Sequence, residues 1–168
     1  KATMTELADN IETTHHAYLK EERPRLDFIT AKVADRHGDH DPRLLEVRHV
    51  FMGLQAEMFS HMNKEEQILF PIIRQMEKAD GPIRAHRGSV QNPIRVMMAE
   101  HDDAGSALSR MRELTDDYTP PAEACNTYRA MLDGLKRLEE DMHVHVHKEN
   151  SVLFPKAVEV EAKLAAVV

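Results

Sequence analysis

The sequence has little of what stabilises a secreted protein or anchors a membrane protein. It contains one cysteine, so it cannot form an internal disulfide. No apolar run approaches the length of a membrane span, and the first residues, Lys-Ala-Thr-Met-Thr, lack the apolar core of a signal peptide. These absences predict a cytoplasmic protein with no membrane partner.

Positive charge and glycine are also scarce. The chain carries 22 Lys and Arg residues against 29 Asp and Glu residues, so it lacks the basic excess that a sequence-independent nucleic-acid surface needs. Six glycines in 168 residues give little sign of turn-rich β structure, and helix-forming residues occur throughout. We expect one all-helical domain over residues 1–168 and no nucleic-acid partner.

Histidine, in contrast, is abundant, and part of it lies in an internal repeat. The stretches His61-Met-Asn-Lys-Glu65 and His145-Val-His-Lys-Glu149 both continue into Leu-Phe-Pro, at a constant offset of 84 residues. A His and a Glu four residues apart lie on one face of a helix. The repeat predicts a duplicated two-helix unit and therefore an up-down antiparallel four-helix bundle, with helices at about 5–37, 42–76, 93–115 and 120–164.

Polar residues interrupt the predicted apolar stripes of three helices. They are His61, Glu65, His101, His145 and Glu149. Each would cost roughly 1 to 3 kcal/mol if it were buried without a partner, and a shared metal centre removes that cost. Imidazoles and bridging carboxylates suit a pair of roughly octahedral iron ions better than a lone zinc. Beyond this site, the stripes are predicted to continue through Ile68 and Ile72 in the second helix and Val152 in the fourth.

Five motifs extend over nearly the whole chain. They are His-x7-Pro-x-Leu at 16–26, Ser-His-Met-x-Lys-Glu-Glu-Gln-Ile-Leu-Phe-Pro at 60–71, Pro-Ile-x-Val-Met-x-x-Glu-His-Asp at 93–102, Thr-Pro-Pro-x-Glu-Ala-Cys at 119–125 and His-x3-Glu-Asn-x2-Leu-Phe-Pro at 145–155. On these motifs the chain resembles the hemerythrin-like, HHE-type cation-binding domains. Within them it is most similar to the di-iron proteins called repair of iron centres.

The resemblance implies a set of seven metal ligands, which are His16, His37, His61, His101 and His145, with Glu65 and Glu149 bridging two irons beside an oxo or hydroxo group. Five imidazoles, two bidentate carboxylates and the oxo bridge would fill about eleven of the twelve positions around two octahedral ions, leaving one vacancy. Full-length repair proteins usually carry a small N-terminal domain with a Cys pair. This chain is expected to lack that domain.

The function that the resemblance implies is the repair of iron–sulfur clusters damaged by nitric oxide or oxidants. The centre would donate iron, or bind or reduce NO, so the expected partners are O2 or NO and damaged iron–sulfur proteins or another iron acceptor. The alternative is a hemerythrin-like protein that binds or senses O2 or NO without turnover.

Two neighbouring histidines compete for one ligand position in the first helix. Helical spacing from Leu7 and Ile11 places His15 nearer the apolar stripe, whereas the family motif selects His16. The sequence leaves both alternatives open.

Other polar residues lie beside the predicted ligands. His143 and His147 are predicted to be solvated, because they lie two residues from His145 on the opposite helix face. An acidic neighbour, whether Glu66, Glu100 or Asp102, is either an acceptor that orients a ligand imidazole or a solvated acid. Cys125 is predicted to be a packed residue of the last helix. The predicted surface or loop histidines are His40, His49 and His86.

Overall fold

The computed structural model describes residues 1–83 and 88–167. Within these ranges the chain consists of helices, turns and connecting segments without any strand, which confirms the predicted all-α class. His86, predicted to be a surface or loop residue, lies outside the described residues. No helix in the two ranges is long and apolar enough to cross a membrane.

The described residues form four long helices, three of which contain a wider π turn. The first comprises α1 (Met4–Asn10), a π turn (Ile11–His16) and α2 (Ala17–His37). The second comprises α3 (Arg43–Lys64), a π turn (Glu65–Leu69) and α4 (Phe70–Lys78). The third is α5 (Gln91–Leu114), and the fourth comprises α6 (Asn126–His147), a π turn (Lys148–Leu153) and α7 (Phe154–Ala165).

Contacts between helix ends show that the first and second helices run in opposite directions, as do the third and fourth. At the start of the first helix, the Met4 backbone N–H donates to Glu77 Oε1 near the end of the second helix, at 2.9 Å. Just before the third helix, the Val90 N–H donates to Glu161 Oε2 near the end of the fourth, at 2.7 Å. The fold is the predicted up-down antiparallel bundle.

The fourth helix begins later than the sequence predicted. Its first residue is Asn126, six positions after the predicted start at 120. The preceding segment contains three consecutive residues with positive φ angles, Asp116, Asp117 and Tyr118, and a hydrogen bond from Ala124 N–H to the Pro121 carbonyl. The two prolines of this segment therefore belong to the connection and not to the first turn of the helix.

The π turns change which residues face the core. A π turn holds one more residue than an α turn, so every residue beyond it is rotated by one position. In the second helix the buried residues are Leu69 and Ile73 and not the predicted Ile68 and Ile72. In the fourth helix, Leu153 is buried where Val152 was predicted, and Val152 is 41% exposed.

The apolar core is divided into two clusters. The larger cluster packs residues between Leu19 and Met62 of the first two long helices against residues between Ala104 and Met142. The smaller one joins α1, α4, the start of α5 and the start of α7. The polar residues of the repeat lie at chain positions between these two clusters, so the bundle places them in a layer with apolar packing on both sides.

Candidate metal centre

Six of the seven predicted ligands meet inside the bundle, and every long helix contributes at least one of them. They are His16 of the first helix, His61 and Glu65 of the second, His101 of the third, and His145 and Glu149 of the fourth. All six are buried, with exposed fractions between 0% and 4%. They form two four-residue groups whose donor atoms lie within 4.8 Å of one another.

The first group contains His16, His145 and both carboxylates. His16 Nε2 lies 3.0 Å from Glu65 Oε2, and His145 Nε2 lies 2.8 Å from Glu149 Oε1. His145 Nε2 is also 4.0 Å from Glu65 Oε2. Two imidazole nitrogens and one oxygen of each carboxylate therefore converge.

The second group contains His61, His101 and the same two carboxylates. His61 Nε2 lies 3.0 Å from Glu65 Oε1, and His101 Nε2 lies 2.8 Å from Glu149 Oε2. The two imidazole nitrogens are 3.1 Å apart. Each carboxylate thus turns one oxygen to each group, which is the arrangement of a bridging ligand.

The donor atoms fit two metal ions in size and in chemistry. Adjacent donors around an octahedral ion with bonds of about 2.1 Å lie about 3.0 Å apart, and the closest nitrogen–oxygen pairs here lie at 2.8 and 3.0 Å. Glu65 Oε1 and Glu149 Oε2 are buried without a hydrogen-bond partner among the described residues. A buried carboxylate oxygen without a partner is costly, and both of these oxygens belong to the second group, so a cation bound there would satisfy both.

The alternative between His15 and His16 is decided by the contacts of their rings. Both are buried. His15 Nδ1 lies 2.8 Å from Asp141 Oδ1, and its Nε2 lies 2.8 Å from Lys148 Nζ. Both of its nitrogens are therefore engaged outside the two groups, and His16 supplies the donor atom, as the family motif indicated.

The structure does not bring His37 to the centre, which corrects the seven-ligand expectation. His37 ends α2, 21 residues beyond His16, so the helix separates the two by about 30 Å. Its Nε2 lies 3.5 Å from the sulfur of Cys125, and its ring packs against Tyr128. Cys125 itself directly precedes α6 and is only partly buried. His143 and His147 are exposed, as predicted.

The family model described as the hemerythrin HHE cation binding domain matches residues 8–157, which include all six residues of the two groups. The chain belongs to the hemerythrin HHE cation-binding family.

Several curated relatives of this HHE domain carry a function in their names. The chain is 41% identical over 153 residues to the iron-sulfur cluster repair protein YtfE of Enterobacter sp. (strain 638), which covers 91% of this chain and 66% of the relative. It is 36% identical to a probable iron-sulfur cluster repair protein of Haemophilus influenzae, over 94% of this chain and 66% of the relative. For YtfE of Escherichia coli O157:H7 the identity is 38%, over 94% and 67%. The chain spans about two thirds of the length of these relatives.

Hydrogen bonds behind the imidazoles hold three of the four HHE histidines in orientation. His16 Nδ1 lies 3.0 Å from Glu66 Oε1, and Lys20 donates to the same carboxylate. His61 Nδ1 lies 3.0 Å from Glu100 Oε1, whose second oxygen accepts from Lys64. The acceptor reading is therefore correct for Glu66 and Glu100. Asp102 is exposed.

The third acceptor is Asn150, which the sequence reasoning missed. His101 Nδ1 lies 2.8 Å from Asn150 Oδ1. The internal repeat gave a signal for this contact, because Asn150 is the repeat equivalent of Glu66. Glu66 contacts His16 of the preceding helix, as Asn150 contacts His101 of its own preceding helix. His145 Nδ1 differs, since it is buried without a hydrogen-bond partner among the described residues.

The carboxylates of the HHE centre attract cations, including protons. Burial lowers the pKa of His61, but the close contact with Glu65 and the charge of that carboxylate outweigh burial and raise the pKa to about 9. The pKa of His16 is raised in the same way, against the effect of burial, by Glu65. Burial alone would raise the pKa of Glu149, yet the charge of His145 and the close contact with His101 lower it. In the metal-free centre, protons therefore balance part of the carboxylate charge.

Proposed function

We propose that this HHE domain holds two iron ions and takes part in the repair of iron–sulfur clusters damaged by nitric oxide or oxidative stress. The observation that carries the proposal is that Glu65 and Glu149 each turn one oxygen to the first group of donors and the other oxygen to the second group. Such shared carboxylates suit a pair of irons in a helical bundle. The names of the relatives supply the link to cluster repair.

The revised ligand set leaves more room for small molecules than the sequence suggested. Each group offers one donor atom from each of four residues, so an octahedral ion would keep about two further positions. One position on each ion would take a shared oxo or hydroxo bridge, and the other is free. The single vacancy expected from seven ligands would thus become one vacancy on each ion, because His37 lies outside both groups.

The residues of the chain have separate tasks in this proposal. Bound iron would supply a redox-active Lewis acid that can bind NO or O2 or be passed to an acceptor. The four imidazoles would bind the ions in their neutral form, and because acid protonates them, a fall in pH would release the iron. Glu66, Glu100 and Asn150 fix the imidazole orientation from behind. With no internal disulfide to protect, the chain suits the reducing cytoplasm, where we place its activity.

Iron content and the electronic spectrum test the centre. The wild-type protein is expected to bind about two irons and to show oxo-to-iron charge-transfer absorption. Glu65→Ala or Glu149→Ala removes a ligand of both ions and should abolish the paired centre, whereas Glu57→Ala, at an exposed glutamate on the same helix as Glu65, should leave both properties unchanged. Fewer than about one iron per wild-type chain after reconstitution would contradict the di-iron assignment.

Cluster repair is tested by measuring the transfer of iron to an acceptor protein. The reduced, iron-loaded protein is mixed without oxygen with an iron–sulfur protein that has lost its cluster, together with a sulfide source. Recovery of the acceptor's cluster absorption, matched by loss of iron from this protein, is expected. Reversible stoichiometric binding of O2 with no iron transfer and no NO consumption would instead support the carrier or sensor alternative.

A further inference from the structure

A surface groove lies beside the second group of donors. It is a cavity of about 320 Å³ between α5 and the fourth long helix, lined among others by His101, His143, His147 and Asn150. His101 belongs to the second group, and Asn150 holds its Nδ1 at 2.8 Å. The groove therefore brings solvent to the back of one metal-binding imidazole.

Two further imidazoles stand in the same groove. His143 and His147 lie four residues apart on one helix, so their side chains are neighbours on one face, and both are exposed. Imidazole is a good ligand for divalent transition-metal ions. Two ligands leave the rest of the coordination sphere to water, which makes such a site weaker than the buried centre and quick to exchange its ion.

A second opening toward the centre has a different, acidic lining. It is a cavity of about 400 Å³ lined by His61, Lys64 and three carboxylates, those of Glu57, Glu100 and Asp103. Lys64 Nζ pairs with Glu100, the carboxylate that holds His61 Nδ1. Carboxylates suit Mg²⁺ and Ca²⁺, whereas imidazoles suit transition-metal ions such as iron. The groove with His143 and His147 is therefore the better match for ferrous iron.

We propose that His143 and His147 form a transient third metal site, through which ferrous iron enters and leaves the centre by way of His101. The inference rests on the proposed function, since it names the route of iron in a protein that donates iron. The ion exchanges water and imidazole ligands along this route without a change in its oxidation state. Because the site lies on the path and not at the endpoint, it changes the rates of loading and release and not the final occupancy of the centre.

Direct binding is measured on the iron-loaded protein by titration with Zn2+ in a calorimeter, with the iron content determined before and after. The wild type is expected to bind one more Zn2+ than the double variant His143→Ala/His147→Ala. His49→Ala removes an exposed histidine from α3 and should keep the extra site. Equal Zn2+ binding by the wild type and the double variant would overturn the proposal.

The route is measured by the rates at which iron is loaded from limiting ferrous salt and released to a colorimetric chelator. The double variant should load and release iron roughly tenfold more slowly, because the capture site raises the local ion concentration at the groove. Its final iron content and absorption spectrum should equal those of the wild type. A double variant with unchanged rates would show that iron takes another path.

Filling the groove tests the same path without touching a histidine. Gly105 lines the groove, and a Cβ at this position would meet no atom within 4 Å. Gly105→Leu should therefore fold and slow both rates. Gly53→Leu is the matched control, because Gly53 also lies in an exposed helix position with no atom within 4 Å of its Cβ and does not line the groove. Equal rates in the two leucine variants would contradict the route.

These outcomes separate the inference from the proposed function. Iron release to the chelator that depends on His143 and His147, without any transfer to an apo iron–sulfur protein, would sustain the route and refute repair. Transfer to that acceptor at the wild-type rate by the double variant would sustain repair and refute the route.

Discussion

Each half of the duplicated sequence supplies two histidines and one glutamate to the two groups of donors, but the side chains behind these histidines differ. Lys64 contacts Glu100, and Lys148, at the equivalent position of the repeat, contacts His15. His15 therefore stands where the other half has a carboxylate. It stacks on His145, with ring centroids 5.3 Å apart, and does not accept a hydrogen bond from His145 Nδ1. The two groups of donors thus contain the same kinds of residue and have different surroundings.

The outer carboxylate Glu100 gives a prediction about affinity. Glu100→Gln keeps the shape of the side chain and removes the charge that makes the His61 imidazole a stronger donor, so the affinity for one of the two ions should fall by about 10- to 100-fold. Competition with a chelator of known affinity measures the two binding affinities, because the two ions should be removed in separate steps. Glu113→Gln, at an exposed glutamate of the same helix, is the control. Identical competition curves for the two variants would show that Glu100 has no such role.

The π turns explain which parts of the site the sequence could predict. His101 lies in α5, which has no π turn, and 3.6-residue periodicity placed it correctly. In the first helix the same periodicity runs from Ile11 to His15, but the π turn spanning Ile11 to His16 adds one residue and brings His16 to the centre. The family motif had the correct residue because it does not assume a regular helix.

Part of the irregularity was visible in the sequence. Pro71 and Pro155 lack the N–H that an α-helix needs, and the proline ring clashes with the carbonyl four residues earlier, at Gln67 and Ser151. Both carbonyls lie inside π turns, so the widened turn accommodates the prolines. In the first helix no proline follows so closely. There the Thr13 hydroxyl donates to the Asp9 carbonyl, a bond that competes with the backbone pattern.

Removing one of these prolines should stabilise the helix and weaken metal binding. Pro71→Ala permits a regular α turn, which would rotate Glu65 relative to the residues that follow and disturb its position between the two groups. We expect the metal-free variant to melt at a higher temperature than the metal-free wild type and to bind less iron. Pro24→Ala, inside α2 and away from the centre, should not reduce the iron content. Full iron occupancy in Pro71→Ala would show that the π turn does not position Glu65.

The bundle as a whole consists of two apolar clusters separated by a charged layer. The clusters are held by hydrophobic packing, while the layer contains two buried carboxylates that need cations. Since all four long helices contribute residues to the two groups of donors, metal binding there should stabilise the entire fold. Ligand binding to the folded state alone adds about 4 kcal/mol when the free metal concentration is 1,000 times the dissociation constant.

This stabilisation should grow with pH. In the metal-free protein the pKa of His61 rises from its ordinary value of 6.5 to about 9, so the stability that its protonation contributes is fully present below pH 6.5 and lost as the pH rises through 9. Metal requires neutral imidazoles and competes with those protons, so in acid the iron-loaded protein is no longer more stable than the metal-free protein. Melting temperatures of metal-free and iron-loaded protein, measured between pH 6.5 and 9, should therefore diverge. A constant difference in melting temperature across this range would mean that protons and metal do not share the site. Glu65→Ala, which is expected to lose the paired centre, should show no divergence with and without added iron.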